Sequence, residues 1–446
     1  MNTENIDTKN KLKSAMDFFK EKLRKDPNNV EAHNNIGVIL FQLEKFKEAE
    51  SSYKKAILIN SNYLSAYINL AAVYKKLGNL EKAQRSCEKA IEINPNHVDA
   101  ISNLASILYE SGEIQKSINC YQKIIRIQPK NAAAFTNLGV AFHKNGNLQK
   151  AKSCYEEAIK IQPEKTAAHY FLGEIYRDDK EFEKAANHFQ IPETSLSNAQ
   201  FIECVYLSKG LKKYNEILHT YVKKDPINLR IAALTSYVST KENIKNTYPF
   251  CKNPLDYFFS VNLKEESKLS DNLLTKLLKI YEKLESNWRL QTIVKNGHQS
   301  SGNLFDSNIL EVSELKKEFV KQIDIYKEKY KNRDDYFITK WPKKSKLFGW
   351  YIRLKKQGQV TSHIHEDGWL SGVFYLKIPK ALKKNEGSIN LSLQGFDYPL
   401  EKSLPNIDFA PKPFDLILYP SSLFHYTIPF TASEERHCIA FDIKPE

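Results

Sequence analysis

Hydrophobic and polar positions change rhythm once along this chain. In the first half, apolar residues recur three and four apart, the spacing of one helix face. Over the last hundred residues they alternate with polar ones, as in strands. The helical part also repeats. Pro95, Pro129 and Pro163 follow one another at a constant interval, and Ser61 and Pro27 continue the series upstream. The same period carries Ile36-Gly37, Leu70-Ala71, Leu104-Ala105, Leu138-Gly139 and Leu172-Gly173. It also carries Ala49, Ala83, Ser117, Ala151 and Ala185, and then Tyr53, Cys87, Tyr121, Tyr155 and Phe189. Each unit reads as a helix pair. Small residues let the two helices approach, aromatics fill the gap to the next unit, and proline ends the second helix. One pair cannot bury its own apolar face, so the units stack into a solenoid.

This pattern resembles the tetratricopeptide repeat, whose period of about 34 residues it shares. Five clear units span residues 30–190, Lys11–Pro27 forms a leading half-unit, residues 195–226 a degenerate sixth unit, and residues 227–245 a closing helix. The expected organisation is a solenoid over 1–245, a linker over 246–265 and a second domain over 266–446. In that domain, helices are expected at 268–286 and 309–331. Strands are expected at 347–356, 359–366, 369–378, 387–393, 414–419, 422–428 and 435–443, the makings of a β-barrel or double-sheet jelly roll. The polar, Gly-punctuated stretch from Gly297 to Phe305 reads as a loop, either bordering a site or serving as a plain connection.

Composition narrows the function classes. An apolar fraction of 41% supplies buried cores, and no apolar run approaches the length of a bilayer span. The polar start Met1-Asn2-Thr3-Glu4-Asn5 lacks the build of a secretory signal. The net charge of +13 comes from lysines scattered among glutamates. That describes a solvated surface better than a nucleic-acid patch, so neither nucleic acid nor membrane is expected as a partner. The six cysteines form no CxxC and no zinc-finger spacing, which fits a reducing cytoplasm.

The chemistry concentrates in Gly358-Gln359-Val360-Thr361-Ser362-His363-Ile364-His365-Glu366-Asp367 and the following Trp369-Leu370-Ser371-Gly372-Val373-Phe374-Tyr375. On an extended strand His363 and His365 face the same side and can share one metal. His425 is the candidate third ligand from a distant strand, completing a facial triad with open positions. Alternation in the last strand puts Arg436, Cys438 and Ala440 on one face and Ile439, Phe441 and Ile443 on the other. A buried Arg436 needs an anionic partner, for which a bidentate carboxylate is suited. His437 alternates to the opposite face and reads as structural.

This set resembles the iron(II)- and 2-oxoglutarate-dependent dioxygenases, most closely a bacterial and phage group with a His-x-His motif. The resemblance covers about residues 260–446. It implies that His363, His365 and His425 bind Fe(II), that Arg436 binds the far carboxylate of 2-oxoglutarate, and that Tyr375 donates its hydroxyl to the same carboxylate. No catalytic side chain is implied beyond the metal site. Most of the wider superfamily carries Asp or Glu two positions after the first histidine, and His365-Glu366-Asp367 offers an alternative triad of His365, Asp367 and His425. The first set is preferred because Gly358 leads His363 at the spacing seen in prolyl hydroxylases. Cys438 stands where many relatives carry Ser.

The fold expected is therefore multidomain: an all-α tetratricopeptide solenoid followed by an α+β double-stranded β-helix. The function expected is an oxygenase hydroxylating a protein or peptide recruited by the solenoid. The rival readings are a non-catalytic scaffold with a degenerate barrel and a small-molecule oxygenase. Asn35, Asn69, Asn103 and Asn137 recur with the repeat on the first helix of each unit, and Phe171 breaks the column. The column is similar to the asparagine ladder in the solenoid of O-linked N-acetylglucosamine transferase. It implies peptide capture through the backbone, against the plain alternative of a solvated groove.

Overall fold

The computed structural model describes residues 3–282, 288–289, 293–380, 382–395 and 398–446. The chain divides into two compact units, Met1–Glu193 and Thr194–Glu446.

The first unit is the solenoid. A leading helix α1 (Thr3–Lys25) precedes five helix pairs. They are α2 (Val30–Gln42) with α3 (Phe46–Ile59), α4 (Leu64–Lys76) with α5 (Leu80–Ile93), α6 (Val98–Glu110) with α7 (Ile114–Ile127), α8 (Ala132–Lys144) with α9 (Leu148–Ile161), and α10 (Thr166–Asp178) with α11 (Phe182–Phe189). Local chemistry sets the ends. Asn29 and Asn131 cap α2 and α8 by accepting from the Ala32 and Ala134 amides, satisfying donors that have no partner inside the helix. The repeating prolines lie just past the second helices, as Pro95 does after the Asn94 cap of α5. The small-to-aromatic pairing of the sequence is a contact across each pair. A Cβ on Gly139 would lie 2.5 Å from Tyr155 Cε1, and Gly37 and Gly173 stand in the same relation to Tyr53 and Phe189. Tyr53, Tyr155 and Phe189 are buried, and each contributes on the order of 1.5–3 kcal/mol through the apolar area it removes from water.

The second unit opens with α12 (Ser195–Lys224), which is broken at Gly210, and α13 (Leu229–Lys241). These residues were expected to close the solenoid. Instead Ile202, Tyr206, Leu234 and Tyr237 join one apolar core with the strands that follow, because their buried faces are wide and aromatic. The segment 246–265, expected as a linker, carries β1 (Phe259–Asn262), and α14 (Leu263–Glu266) follows directly. Next come α15 (Asp271–Glu282), β2 (Trp288–Arg289), β3 (Val294–Ser300), α16 (Leu310–Tyr330) and α17 (Tyr336–Thr339). The remaining strands are β4 (Ser345–Val360), β5 (Leu370–Lys377), β6 (Ile389–Ser392), β7 (Asn406–Phe409), β8 (Asp415–Pro420), β9 (Phe424–Thr427) and β10 (Arg436–Pro445). The expected end of the helix over 268–286, residues 283–286, lies outside the described residues.

The strands form two antiparallel sheets. One has seven strands in the order β1-β8-β5-β10-β4-β3-β2, and the other has three in the order β7-β6-β9. The stretch expected as a loop from Gly297 to Phe305 begins in β3, where Gly297, His298 and Gln299 pair with Leu354, Arg353 and Ile352 of β4, and leaves the strand after Ser300. Backbone pairing with a long neighbour outweighs a polar composition. Two expected strands, 347–356 and 359–366, are one continuous β4 that stops at Val360. Strand β10 divides the domain as its alternation demands. Its Phe441 stacks on Phe319 of α16 at 4.6 Å between ring centroids, while Arg436, Cys438 and Ala440 face a cavity on the other side.

Candidate metal centre

His363 and His365 lie in the extended segment just after β4. This segment is tied to β9 by a reciprocal backbone pair, His363 N to His425 O at 3.2 Å and His425 N to His363 O at 3.1 Å. The His365 amide donates to Ser421 O at 3.1 Å. The pairing sets His363 directly opposite His425, and the two-residue alternation brings His365 to the same side. The ligand-bearing atoms of the three rings all lie within 4.8 Å of one another.

The outer nitrogen of each ring is engaged. His363 Nδ1 is 2.8 Å from Thr361 O, and His425 Nδ1 is 3.1 Å from Leu423 O. His365 Nδ1 is 2.6 Å from Asp442 Oδ1. A carbonyl or carboxylate oxygen only accepts, so each Nδ1 carries the hydrogen and each Nε2 presents a lone pair. The Nε2 atoms of His363 and His365 are 3.0 Å apart. Two lone pairs at that distance repel unless a proton or a cation lies between them. Burial, reinforced by the neighbouring His365, pushes His363 down to about 3. Burial and the two other rings push His425 well below the ordinary histidine range. Protonation is thus disfavoured at neutral pH, and a bound divalent cation resolves the conflict. The donor set fits a metal.

Behind His365 stands a hydrogen-bonded group that the motif reading missed. Ser371 Oγ donates to Asp442 Oδ1 at 2.7 Å and lies 2.8 Å from Ser421 Oγ. Asp442 is 3% exposed. Its signal was present in the sequence, because Asp442 continues the face of Arg436, Cys438 and Ala440, and a charge there is anomalous. Gly368 is required beside this group, since a Cβ on it would lie 2.7 Å from Ser421 Oγ and 3.1 Å from Asp442 Cγ. Trp350 of β4 flanks His365 at 5.4 Å between rings.

The cavity of about 250 Å³ beside the triad is walled by Ile352, Val360, Val373 and Ile389, and Arg436 also lines it. Arg436 is 2% exposed. Its Nε donates to Gly387 O at 3.2 Å, its Nη1 lies 3.6 Å from Cys438 Sγ, and its guanidinium stacks 4.9 Å from the Tyr375 ring. Among the described residues no carboxylate pairs with it. The Tyr375 hydroxyl is buried without a hydrogen-bond partner. Asp367, the alternative ligand, is not brought to the cluster. It sits in the turn after His365 with its side chain 89% exposed, 3.9 Å from Lys444. Its neighbour Glu366 accepts from Arg230 of α13 at 3.0 Å. His437 is buried on the opposite face against Tyr351. In the solenoid, Asn35, Asn69 and Asn103 are half-buried and Asn137 is exposed. The Asn69 amide donates to Asn34 Oδ1 at 3.0 Å.

Comparison with known families agrees with this geometry. Residues 349–442 match the family described as "Putative 2OG-Fe(II) oxygenase". Residues 30–63, 65–97 and 132–165 match the tetratricopeptide repeat, 86–119 a second model of that repeat, and 105–146 the TPR repeat. The chain thus joins matches to the tetratricopeptide repeat with a match to the "Putative 2OG-Fe(II) oxygenase" family. No curated protein matches it. Among solved structures it is similar to PilF of Pseudomonas aeruginosa, at 15% identity over 46% of this chain and 96% of that one, with a TM-score of 0.41. It is also similar to MamA of Desulfovibrio magneticus RS-1, at 20% identity over 36% and 91%, with a TM-score of 0.34. A third is YrrB, described as a TPR protein with an unusual peptide-binding site, at 17% identity over 45% and 97%, with a TM-score of 0.34. The span 349–442 matched to the "Putative 2OG-Fe(II) oxygenase" family contains all three histidines, Arg436 and Asp442. No helix among the described residues is long and apolar enough to cross a membrane.

Proposed function

We propose that the second unit is an Fe(II)- and 2-oxoglutarate-dependent oxygenase that hydroxylates a protein or peptide recruited by the solenoid. The observation that carries this reading is the convergence of three Nε2 lone pairs, two of them 3.0 Å apart, with every Nδ1 turned outward. His363, His365 and His425 hold the metal. Bound iron(II) supplies redox chemistry with dioxygen that protein side chains lack, and 2-oxoglutarate is the co-reductant, leaving as succinate and CO2.

The chain's own residues supply binding and exclusion. Arg436 has no carboxylate partner among the described residues and lines the cavity of the triad, so it takes the far carboxylate of 2-oxoglutarate in a charge-assisted fork. Tyr375 beneath it has a free hydroxyl to give to the same carboxylate. The aliphatic walls exclude water around a reactive centre. The asparagines of the first solenoid helices offer donors and acceptors to an extended backbone.

The test is metal loading followed by succinate formation. Wild-type protein is expected to take up one Fe(II) and to release succinate when 2-oxoglutarate and dioxygen are present. His425→Ala is expected to lose both, and Asp367→Asn to keep both. Full turnover by His425→Ala would end the oxygenase reading, and loss of metal in Asp367→Asn would move the triad two positions along.

A further inference from the structure

Three neutral imidazoles bring no negative charge to a metal, whereas a site of two histidines and one carboxylate brings one. The second unit nevertheless holds a buried carboxylate one ring away. Asp442 Oδ1 lies 2.6 Å from His365 Nδ1 and 2.7 Å from Ser371 Oγ. Among the described residues no lysine or arginine pairs with it, and it is 3% exposed. A buried anion without a countercharge costs several kcal/mol. Arg436 is a buried cation without a carboxylate in the same unit, but the two groups sit well apart along β10 and each faces its own partners. Arg436 meets Gly387 and Tyr375, and Asp442 meets His365 and Ser371.

We infer that Asp442 is a positioning residue that makes His365 the most electron-rich member of the triad. This rests on the metal reading above. The carboxylate fixes the hydrogen on Nδ1, aims Nε2 inward and donates charge through the imidazole. It thereby supplies at second remove what a directly ligating carboxylate supplies elsewhere. Ser371, itself hydrogen-bonded to Ser421, holds the carboxylate in place, and Gly368 leaves the room it needs. The exposed position of Asp367 follows from the same arrangement. With the carboxylate charge delivered from behind by β10, the acid in the turn has no task at the metal.

Asn can accept the same two hydrogen bonds at Oδ1, so Asp442→Asn removes charge with little change of shape. Ser371→Ala removes a hydrogen bond of the same group without changing charge. Co(II) affinity of the purified full chain, measured by competition with a chromophoric chelator, is expected to fall about 10–100-fold in Asp442→Asn and less than about 3-fold in Ser371→Ala. The Fe(III)/Fe(II) midpoint potential is expected to rise in Asp442→Asn and stay in place in Ser371→Ala. A merely structural role would make the two variants alike. Unchanged affinity and potential in a folded Asp442→Asn protein would overturn the inference while leaving the metal site standing. A wild type that takes up no Co(II) would overturn both. If Asp442→Asn does not fold, nitrogen NMR of the Zn(II)-loaded wild type decides. A hydrogen on His365 Nδ1, strongly deshielded by the carboxylate, supports the assignment, and its absence ends it.

Discussion

The two units solve the burial problem in opposite ways. In the solenoid a side chain meets partners from its own helix pair or the next one. Tyr155 fills the space over Gly139 of the same pair, and Asn69 reaches Asn34 one repeat back. In the second unit the partners are remote. His363 pairs with His425, His365 with Asp442, and Arg230 with Glu366. The first arrangement makes each defect local and tolerable. The second concentrates dependence on a few positions but brings together groups that no single helix or hairpin could. Repetition therefore suits a surface that is extended along the chain, and non-local pairing suits a centre that needs convergent atoms.

The contrast can be tested from its strong end downward. Arg436→Leu is expected to leave the metal in place and raise the 2-oxoglutarate concentration for half-saturation about 30-fold or more, since truncating one side of a buried charge pair costs about 2–5 kcal/mol. An unchanged requirement would remove Arg436 from that role. In the solenoid, Gly139→Ala drives a methyl group against Tyr155 and is expected to cost about 1–3 kcal/mol. All four tryptophans lie beyond residue 280, so their emission reports the second unit. The loss should appear in far-ultraviolet helix signal and leave the tryptophan transition where it was. A joint shift would show that the units do not unfold independently.

Acid probes the difference more gently. His363 titrates near 3 in the folded chain, and an unfolded histidine near 6.5. Between those values the unfolded state binds the extra proton, so stability of the metal-free protein is full above about 6.5 and is lost as the pH falls toward 3. His425 shifts in the same direction, and burial pushes His437 down to about 4. The solenoid has His188, also pushed to about 4 by burial. Lowering the pH from 7 to 6 should therefore destabilise the tryptophan-reported unit by on the order of 1–2 kcal/mol more than the helical signal. Equal losses would contradict the assignment of the acid-sensitive groups. The smallest effect expected is that of Asn103→Ala, about 0.5–1 kcal/mol in affinity for a polypeptide substrate, read as a few-fold change in its dissociation constant. An unchanged constant would place the substrate outside the solenoid groove.

How far the sequence could be read follows the same division. A constant repeat period made the helix pairs, their small-to-aromatic contacts and their ends legible, because each unit's neighbours are its own copies. Alternation likewise assigned the two faces of the last strand and put His363 and His365 on one side. The convergence of His425 with them was carried by resemblance to a family, and the structure supplies the reason, a backbone bridge between His363 and His425 that no local pattern announces. Residues 195–241 show helical spacing in either unit, and only the packing of Tyr206 and Tyr237 into the strand core decided where they belong. The choice between His363 and Asp367 was open in the string itself. It depended on which backbone pairs with β9 and on whether a carboxylate stood behind His365. Asp442 reaches that ring from the far end of β10. Local pattern determines faces and lengths because it follows the backbone's own repeat. Which faces meet depends on the burial of the whole core, and that is a property of the tertiary structure alone.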